Sequence, residues 1–163
     1  MLIRDATIAD LPEIIGIYNA AIPGRMATAD LEPISVESRR AWFAGHSSTM
    51  RPLWILEDRG AIHAWLSFQS FYGRPAYQAT AEVSVYVSPS SQRRGYGRVL
   101  LAHAIDQAPS MSLRTLLGFI FGHNEPSLTL FRGFGFETWA RLPKIAELDG
   151  VERDLLIVGR RIV

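Results

Sequence analysis

The sequence predicts a mixed α/β fold, in which a central sheet of about seven strands is flanked by about four helices. Two adjacent patterns and the order of the remaining elements predict it. Val83, Val85 and Val87 alternate with polar residues, which is the period-two pattern of a strand. Apolar residues within 99–105 recur every three or four positions, as on one face of a helix. Further strand and helix patterns on both sides of this pair indicate a sheet with helices packed against it.

Composition limits the kinds of protein that this chain can be. The 163 residues, 48% of them hydrophobic, are expected to form one domain over 1–163, since no linker or repeat interrupts them. A net charge of +1 with mixed signs lacks the basic clustering that nucleic acid binding requires. The absence of cysteine excludes disulfides, thiolate metal sites and a cysteine nucleophile. Because no long apolar run or basic-apolar leader occurs, we expect a cytoplasmic protein without a membrane partner.

The first elements are predicted to be a strand and two helices. The strand covers residues 2–6, and Thr7 begins a helix because an acidic residue follows it three positions later. Pro23 and its glycine neighbour end that helix and open a polar loop that could border a substrate. Ser35 is a plausible N-cap for a second helix that ends near Gly45.

A hairpin and an aromatic loop lead to the central strand. Residues 53–57 and 61–70 are apolar runs on either side of the turn residues 58–60, which predicts a β-hairpin. Residues 71–77 are rich in aromatic side chains yet broken by glycine and proline, which favours a loop that lines a pocket.

The last elements are predicted to be three strands and a short helix. Residues 113–121 are almost entirely apolar, as expected of a strand inside the sheet. A short helix with apolar residues at 128, 130, 131 and 134 follows and ends at Gly133 or Gly135, and residues 136–142 and 153–160 close the sheet as strands. Residues 142–150 are predicted to be a long connection between those two strands.

The turn between the central strand and its helix has the features of an anion site. First-turn N–H groups of a helix lack intrahelical partners and lie at the positive end of its dipole. Glycines let the backbone approach a ligand, and arginines add charge that suits a pyrophosphate. The alternative is an arginine-rich surface turn in which the glycines serve only the backbone conformation of the turn. The residues of the turn are Gln92, Arg93, Arg94, Gly95, Tyr96, Gly97 and Arg98.

Two motifs in this order resemble the GNAT acetyltransferase family. The turn matches its acyl-CoA signature, Gln/Arg-x-x-Gly-x-Gly/Ala, which differs from the dinucleotide and P-loop fingerprints. The second motif matches the family's Asn, Ser, Leu-aromatic and Gly-Phe element, and it consists of Asn124, Ser127, Leu130, Phe131, Gly135 and Phe136. Thr80, Glu82 and residues 84–87 are similar to the Thr-x-Glu-x-Ser-Val-Tyr-Val element of the phosphinothricin and methionine-sulfoximine acetyltransferase branch.

The resemblance implies a GNAT fold, acetyl-CoA as co-substrate, no metal and a homodimer. The acceptor would be the α-amine of a small amino acid or analogue, and the role would be detoxification. Acetyl-CoA would contact Val85, Tyr86, Val87, the turn residues 92–98, Asn124, Ser127 and Phe131. A tyrosine often stands at the Phe131 position in the family and protonates the departing thiolate, which phenylalanine cannot do. Asn124 has the alternative role of a helix N-cap.

The chemistry of amide formation points to Glu82 as general base, because an α-ammonium must lose a proton before it attacks. The alternative is a solvated or salt-bridged strand glutamate. The N–H groups of residues 85–87 could stabilise the oxyanion. Substrate would be bound by Ser84 and Glu82, and by Arg74 and Tyr77 of the aromatic loop, where Arg74 could grip a carboxylate or phosphinate in two hydrogen bonds. Arg74 could equally be an exposed loop arginine.

Other functions remain open at this point. An acetyltransferase for a polyamine or a protein N-terminus is one alternative, although an acidic groove would suit those acceptors better than Arg74. A non-catalytic acyl-CoA sensor is another, favoured by Phe131 and disfavoured by Glu82. The four histidines match no zinc motif, and His123 beside Asn124 could relay a proton or be structural.

Overall fold

One seven-stranded sheet runs through the whole protein. The computed structural model describes residues 1–162, and its strands lie side by side in the order β1-β2-β3-β4-β5-β7-β6. Neighbouring strands are antiparallel except for β4 and β5, which are parallel. The strands are β1 (Leu2–Asp5), β2 (Leu53–Asp58), β3 (Ala61–Ser70), β4 (Thr80–Val87), β5 (Thr115–Phe121), β6 (Glu137–Leu148) and β7 (Val151–Arg161).

Four α-helices cover the sheet. They are α1 (Leu11–Ala21), α2 (Arg40–Ala44), α3 (Tyr96–Gln107) and α4 (Glu125–Arg132). A short 3-10 turn precedes α1, where the Thr7 N–H donates to the Asp10 carboxylate at 2.7 Å. Within residues 1–162, no helix is both long enough and apolar enough to span a membrane.

The alternation along β4 divides its side chains between two cores. Val83 is buried among residues of α3, α4 and β5, and Val85 and Val87 pack against the same cluster. On the other face, Tyr86 packs with Trp65 of β3 and with the α1 and α2 side chains. Because directly paired residues of antiparallel strands point to the same face, β3 and β4 together present a polar and aromatic surface to α1 and α2.

The parallel pair β4 and β5 separates after only three residue pairs. Thr80, Ala81 and Glu82 pair with Thr115, Leu116 and Leu117, and no pairing continues beyond them. β5 remains paired with β7 along its other edge, so the facing edges of the second halves of β4 and β5 are left without a strand partner. The result is a wedge-shaped opening in the middle of the sheet, which exposes backbone N–H and C=O groups.

The structure confirms the predicted α/β fold, with seven strands and four helices, and it corrects two segments. The second helix is shorter than expected, because the residues after Ser35 first form a 3-10 turn and α2 begins at Arg40. The prediction of a long connection over residues 142–150 is wrong. Those residues extend β6 as far as Leu148, and Asp149 and Gly150 form a tight turn in which both have positive φ. A register shift between Leu142 and Ala146 interrupts the strand pattern, and it hid the strand in the sequence.

Candidate active site

The separation of β4 and β5 creates a cavity of about 420 Å³, which we call the cleft. Its walls come from both strands, from α4, from the loop between α1 and α2, and from the β6–β7 hairpin. The lining residues are Met26, Ala27, Thr28, Ala29, Glu82, Val83, Ser84, Val85, Tyr86, Phe119, Ile120, Phe121, Asn124, Ser127, Phe131, Ile145, Ala146 and Leu155.

Glu82 lies in the cleft wall at the last residue pair before β4 and β5 separate. Its side chain is half-buried, and this burial alone raises the pKa of the carboxyl above its ordinary value. Among residues 1–162 no basic side chain forms an ion pair with it, so the salt-bridged alternative is not what the structure contains. A carboxyl of this kind accepts a proton closer to neutral pH than a solvated glutamate does.

The open edge of β4 offers backbone donors beside Glu82. Val85, Tyr86 and Val87 lie on the part of β4 that has no partner from β5. The Tyr86 hydroxyl donates to the Ala27 carbonyl at 3.0 Å, and burial raises the pKa of this phenol, which therefore stays protonated. This stretch can hydrogen-bond an extended ligand in the way that a neighbouring strand would.

The predicted anion site lies where β4 leads into α3. The first helical hydrogen bond runs from the Val99 N–H to the Gly95 carbonyl at 3.0 Å, so the first-turn N–H groups before Val99 have no intrahelical partner. Gly95 has φ +83°, a left-handed conformation that glycine adopts without strain. A Cβ on Gly97 would lie 3.5 Å from Val87, which shows how closely α3 begins against β4.

The side chains of this turn divide between solvent and core. Gln92, Arg93, Arg94 and Arg98 are exposed, and the guanidinium of Arg98 lies 5.0 Å from the centre of the Phe134 ring. The Tyr96 side chain is instead buried, where it stacks on His63 and donates to Asp58 at 3.2 Å. Tyr96 therefore faces a ligand at the turn through its N–H group only.

Asn124 connects the second motif to the loop between α1 and α2. Its side-chain oxygen accepts from the Ser127 N–H at 3.3 Å, which makes it the N-cap of α4, as the alternative role predicted. Its side-chain nitrogen donates to the Met26 carbonyl at 3.1 Å. The two roles occur together, although a ligand at this amide would have to share or replace the bond to Met26.

Phe131 lines the cleft, but it is only 4% exposed and packs edge-on against Phe136. The phenyl ring also lies against Gly118 of β5, where an added Cβ would come within 2.8 Å of it. Phe131 thus shapes the cleft wall and offers no proton donor.

The loop over residues 25–27 closes one side of the cleft, and it belongs to the polar segment that the sequence predicted to border a substrate. Three consecutive carbonyls of this loop accept hydrogen bonds, from His123 at 2.8 Å, from Asn124 at 3.1 Å and from Tyr86 at 3.0 Å. Arg25 also forms an ion pair with Asp149 at the tip of the β6–β7 hairpin, at 2.8 Å. His123 is therefore positioned to hold the loop, and the one signal in the sequence was its place beside Asn124.

A second cavity, of about 220 Å³, adjoins the cleft, and we call it the side pocket. It lies between the β3–β4 surface and the first two helices, and it shares Ser84 and Tyr86 with the cleft. Its lining residues are Ile15, Tyr18, Ile34, Arg39, Trp42, Trp65, Ser67, Gln69, Ser84 and Tyr86. Sequence reasoning did not single out Arg39, although its position three residues before Trp42 on a predicted helix placed both on one face.

Arg74 and Tyr77 lie elsewhere. They line a third cavity of about 330 Å³, together with Arg51 and Phe71, at the carboxyl end of β3. Neither residue lines the cleft or the side pocket. The structure brings Ser84 and Glu82 together, but it does not bring the aromatic loop to them.

The arrangement can bind an extended ligand along β4 with its anionic end at the start of α3. It can also hold an amine beside the carboxyl of Glu82. In residues 1–162 no group of three or more histidine, cysteine, aspartate or glutamate side chains is placed to hold a metal ion.

Comparisons with known proteins agree with this geometry. The model of the acetyltransferase (GNAT) family matches residues 15–136. YwnH of Bacillus subtilis (strain 168), named as a candidate phosphinothricin acetyltransferase, is 48% identical over 163 residues, covering 99% of each chain. A protein of Pseudomonas paraeruginosa (strain DSM 24068 / PA7), named L-methionine sulfoximine/L-methionine sulfone acetyltransferase, is 31% identical, covering 94% of this chain and 90% of its own. The solved structure of YncA from Salmonella typhimurium, a candidate acetyltransferase with its cofactor acetyl-CoA, aligns with a TM-score of 0.93 at 29% identity, over 100% of this chain and 94% of that one.

Proposed function

The chain belongs to the acetyltransferase (GNAT) family, and from this premise we propose that it transfers an acetyl group from acetyl-CoA to the α-amine of a small amino acid or analogue. Phosphinothricin, methionine sulfoximine and methionine sulfone represent the acceptor class. The names of two relatives, at 48% and 31% identity, support this class of acceptor. The solved complex of YncA with acetyl-CoA supports the donor.

One observation carries the proposal. Glu82, a carboxyl whose pKa is raised by burial, lines the cleft at the point where β4 loses its strand partner. The pantetheine arm of acetyl-CoA would pair with the open edge of β4, and its pyrophosphate would lie at the start of α3. The thioester would then lie close to Glu82 and Ser84, where an amine can reach it.

The reaction proceeds by direct attack in a ternary complex. Glu82 takes a proton from the acceptor ammonium, directly or through one water molecule, and the neutral nitrogen attacks the thioester carbonyl. Of the N–H groups of residues 85–87, those that point away from β3 toward the open edge stabilise the oxyanion. The C–S bond breaks as the amide forms, and the second proton of the attacking nitrogen passes through water to the departing thiolate, since Phe131 cannot donate one. Direct transfer suits a chain with no cysteine to carry the acetyl group.

The remaining parts of the proposal rest on resemblance. A homodimer, a cytoplasmic location and a role in detoxifying amino-acid analogues fit this branch of the family. A role of Arg74 and Tyr77 in substrate binding would require the aromatic loop to approach the side pocket. A polyamine or a protein N-terminus is the alternative acceptor.

The test is release of free CoA thiol from acetyl-CoA across a panel of amines. The panel contains phosphinothricin, methionine sulfoximine, methionine sulfone, ordinary amino acids, polyamines and short peptides. We expect turnover confined to α-amino acids and their analogues. Turnover on polyamines or peptides alone would overturn the proposed acceptor class, and CoA binding without turnover on any amine would replace catalysis by an acyl-CoA-binding role.

A further inference from the structure

The side pocket contains one cationic side chain, Arg39, whose hydrogen-bonding capacity is mostly unused. Its side chain is 35% exposed, and one guanidinium nitrogen donates to Asp30 at 3.4 Å. Five N–H groups are available on a guanidinium, so most of its donors remain free for a ligand. The same Asp30 carboxylate also accepts from the Tyr18 hydroxyl, which anchors it. Asp30 therefore fixes the position of the guanidinium at the pocket wall and leaves most of its N–H donors free.

The floor of the side pocket is polar and its walls are aromatic. Ser67, Gln69 and Ser84 contribute their side chains to the floor. Trp42 and Trp65 form a wall, with ring centres 5.7 Å apart. A cation, polar groups and flat apolar walls together suit a small zwitterion or anion with a short apolar stem.

The register of β3 against β4 connects this pocket to Glu82. Gln69 is paired with Glu82, and Ser67 is paired with Ser84, on the same face of the sheet. Paired side chains on one face lie about 5 Å apart, so the pocket floor begins beside the general base. An acceptor whose amine lies at Glu82 would therefore extend across Ser84 into the side pocket, toward Arg39.

We infer that Arg39 binds the anionic oxygen group of the acceptor, a carboxylate or a phosphinate, in the side pocket. This inference rests on the proposed function for the identity of the acceptor, although binding itself does not depend on turnover. It assigns to Arg39 the contact that the sequence suggested for Arg74, because Arg39 lines a pocket adjoining the cleft whereas Arg74 lines a separate cavity.

Intrinsic fluorescence provides a readout of binding without catalysis, since Trp42 and Trp65 line the pocket. The titration uses the full chain and three acceptors. These are phosphinothricin, methionine sulfone, and an analogue of methionine sulfone that keeps the amine but has no carboxylate. The variants are Arg39→Gln, Arg74→Gln and the control Arg40→Gln. Arg40 neighbours Arg39, but it is exposed, pairs with Glu37 at 2.6 Å and lies outside the pocket.

We expect Arg39→Gln to weaken binding of phosphinothricin by about 10- to 100-fold, the effect of losing charge-assisted hydrogen bonds. Arg40→Gln should bind like the wild type. An equal loss for methionine sulfone would identify the α-carboxylate as the bound group, and a loss confined to phosphinothricin would identify the phosphinate. If Arg39 binds the α-carboxylate, the analogue without a carboxylate should bind weakly to every variant. KM for the acceptor should rise in parallel, with kcat changed much less.

The inference fails if Arg39→Gln binds all three acceptors as Arg40→Gln does, or if only Arg74→Gln loses binding. Binding that depends on Arg39 without release of CoA would sustain the inference and refute the proposed function. Turnover that is unchanged in Arg39→Gln would sustain the proposed function and refute the inference. If the wild type neither binds nor acetylates any of the three acceptors, both are wrong.

Discussion

At the scale of single residues, the proposed function depends most on Glu82. A general base functions only when deprotonated, and burial raises the pKa of Glu82 above 4.5. Activity should therefore fall as the pH drops through that raised pKa, and it should be fully present only well above it. We predict an acid limb in the pH profile of kcat/KM that lies above pH 4.5 and disappears in Glu82→Gln, whose turnover should fall by about 100-fold or more.

The control for Glu82 is Glu137→Gln, because Glu137 is an exposed glutamate of β6 outside the cleft. Its pH profile should match that of the wild type. Acetyl-CoA binding to Glu82→Gln, measured by calorimetry, should be unchanged. An acid limb that persists in Glu82→Gln would assign the proton transfer to another group.

Asn124 has two separable roles, which two substitutions can resolve. Alanine removes both the cap on α4 and the bond to the Met26 carbonyl, whereas serine keeps a capping oxygen but has no amide to reach Met26. We predict that Asn124→Ala lowers the free energy of unfolding by about 1 kcal/mol or more and that Asn124→Ser costs less. Both should speed hydrogen exchange in residues 25–29. Equal destabilisation with unchanged exchange there would contradict the second role.

At the scale of elements, the packing of α4 on β5 depends on a glycine. A Cβ at Gly118 would lie 2.8 Å from Phe131 and 3.1 Å from Val158, both inside the core that borders the cleft. We predict that Gly118→Ala lowers the free energy of unfolding by about 1–3 kcal/mol through overpacking, as measured by urea titration. It should also weaken acetyl-CoA binding, because Phe131 lines the cleft.

The matched control carries the same substitution in an open position. Gly16 is exposed in the middle of α1, and a Cβ there would meet no atom within 4 Å. Gly16→Ala should raise the free energy of unfolding by about 0.5–1 kcal/mol, since alanine favours the helix. Two glycines should thus respond with opposite sign. A loss of stability in both would mean that the packing around Phe131 is not the cause.

Elements with a regular pattern were predictable from the sequence, and elements shaped by tertiary context were not. The alternation in β4 and the glycine-rich turn before α3 are local features, so the sequence placed Glu82 and the anion site together. The extension of β6 to Leu148 was missed because a register shift breaks the two-residue period. Arg39 was missed because only the fold brings the 3-10 turn before α2 over β3 and β4, and helical spacing to Trp42 does not distinguish a pocket arginine from a surface one.

At the scale of the whole molecule, donor binding should be sensitive to salt. Three exposed arginines surround the anion site at the start of α3, namely Arg93, Arg94 and Arg98. Exposed charges are screened within about 8 Å at physiological ionic strength. We predict that the Kd for acetyl-CoA rises with added NaCl, and that acetyl-CoA raises Tm less as salt increases.

The control ligand for this prediction is S-acetyl-pantetheine, which has the thioester arm but no phosphate. Its Kd should depend little on salt, because the proposed contacts of the arm are with the backbone of β4 and the walls of the cleft. A common salt slope for the two ligands would show that the arginines do not bind the phosphates.

The shared wall of Ser84 and Tyr86 between the cleft and the side pocket has a consequence for inhibition. A compound that joins the sulfur of CoA to an amino acid through a short bridge would fill both cavities at once. Its second half would bind at an effective concentration in the millimolar range or above, so its affinity should exceed that of either half by about 100-fold or more. Bisubstrate inhibitors should therefore bind this enzyme tightly. Their selectivity would come from the acceptor half.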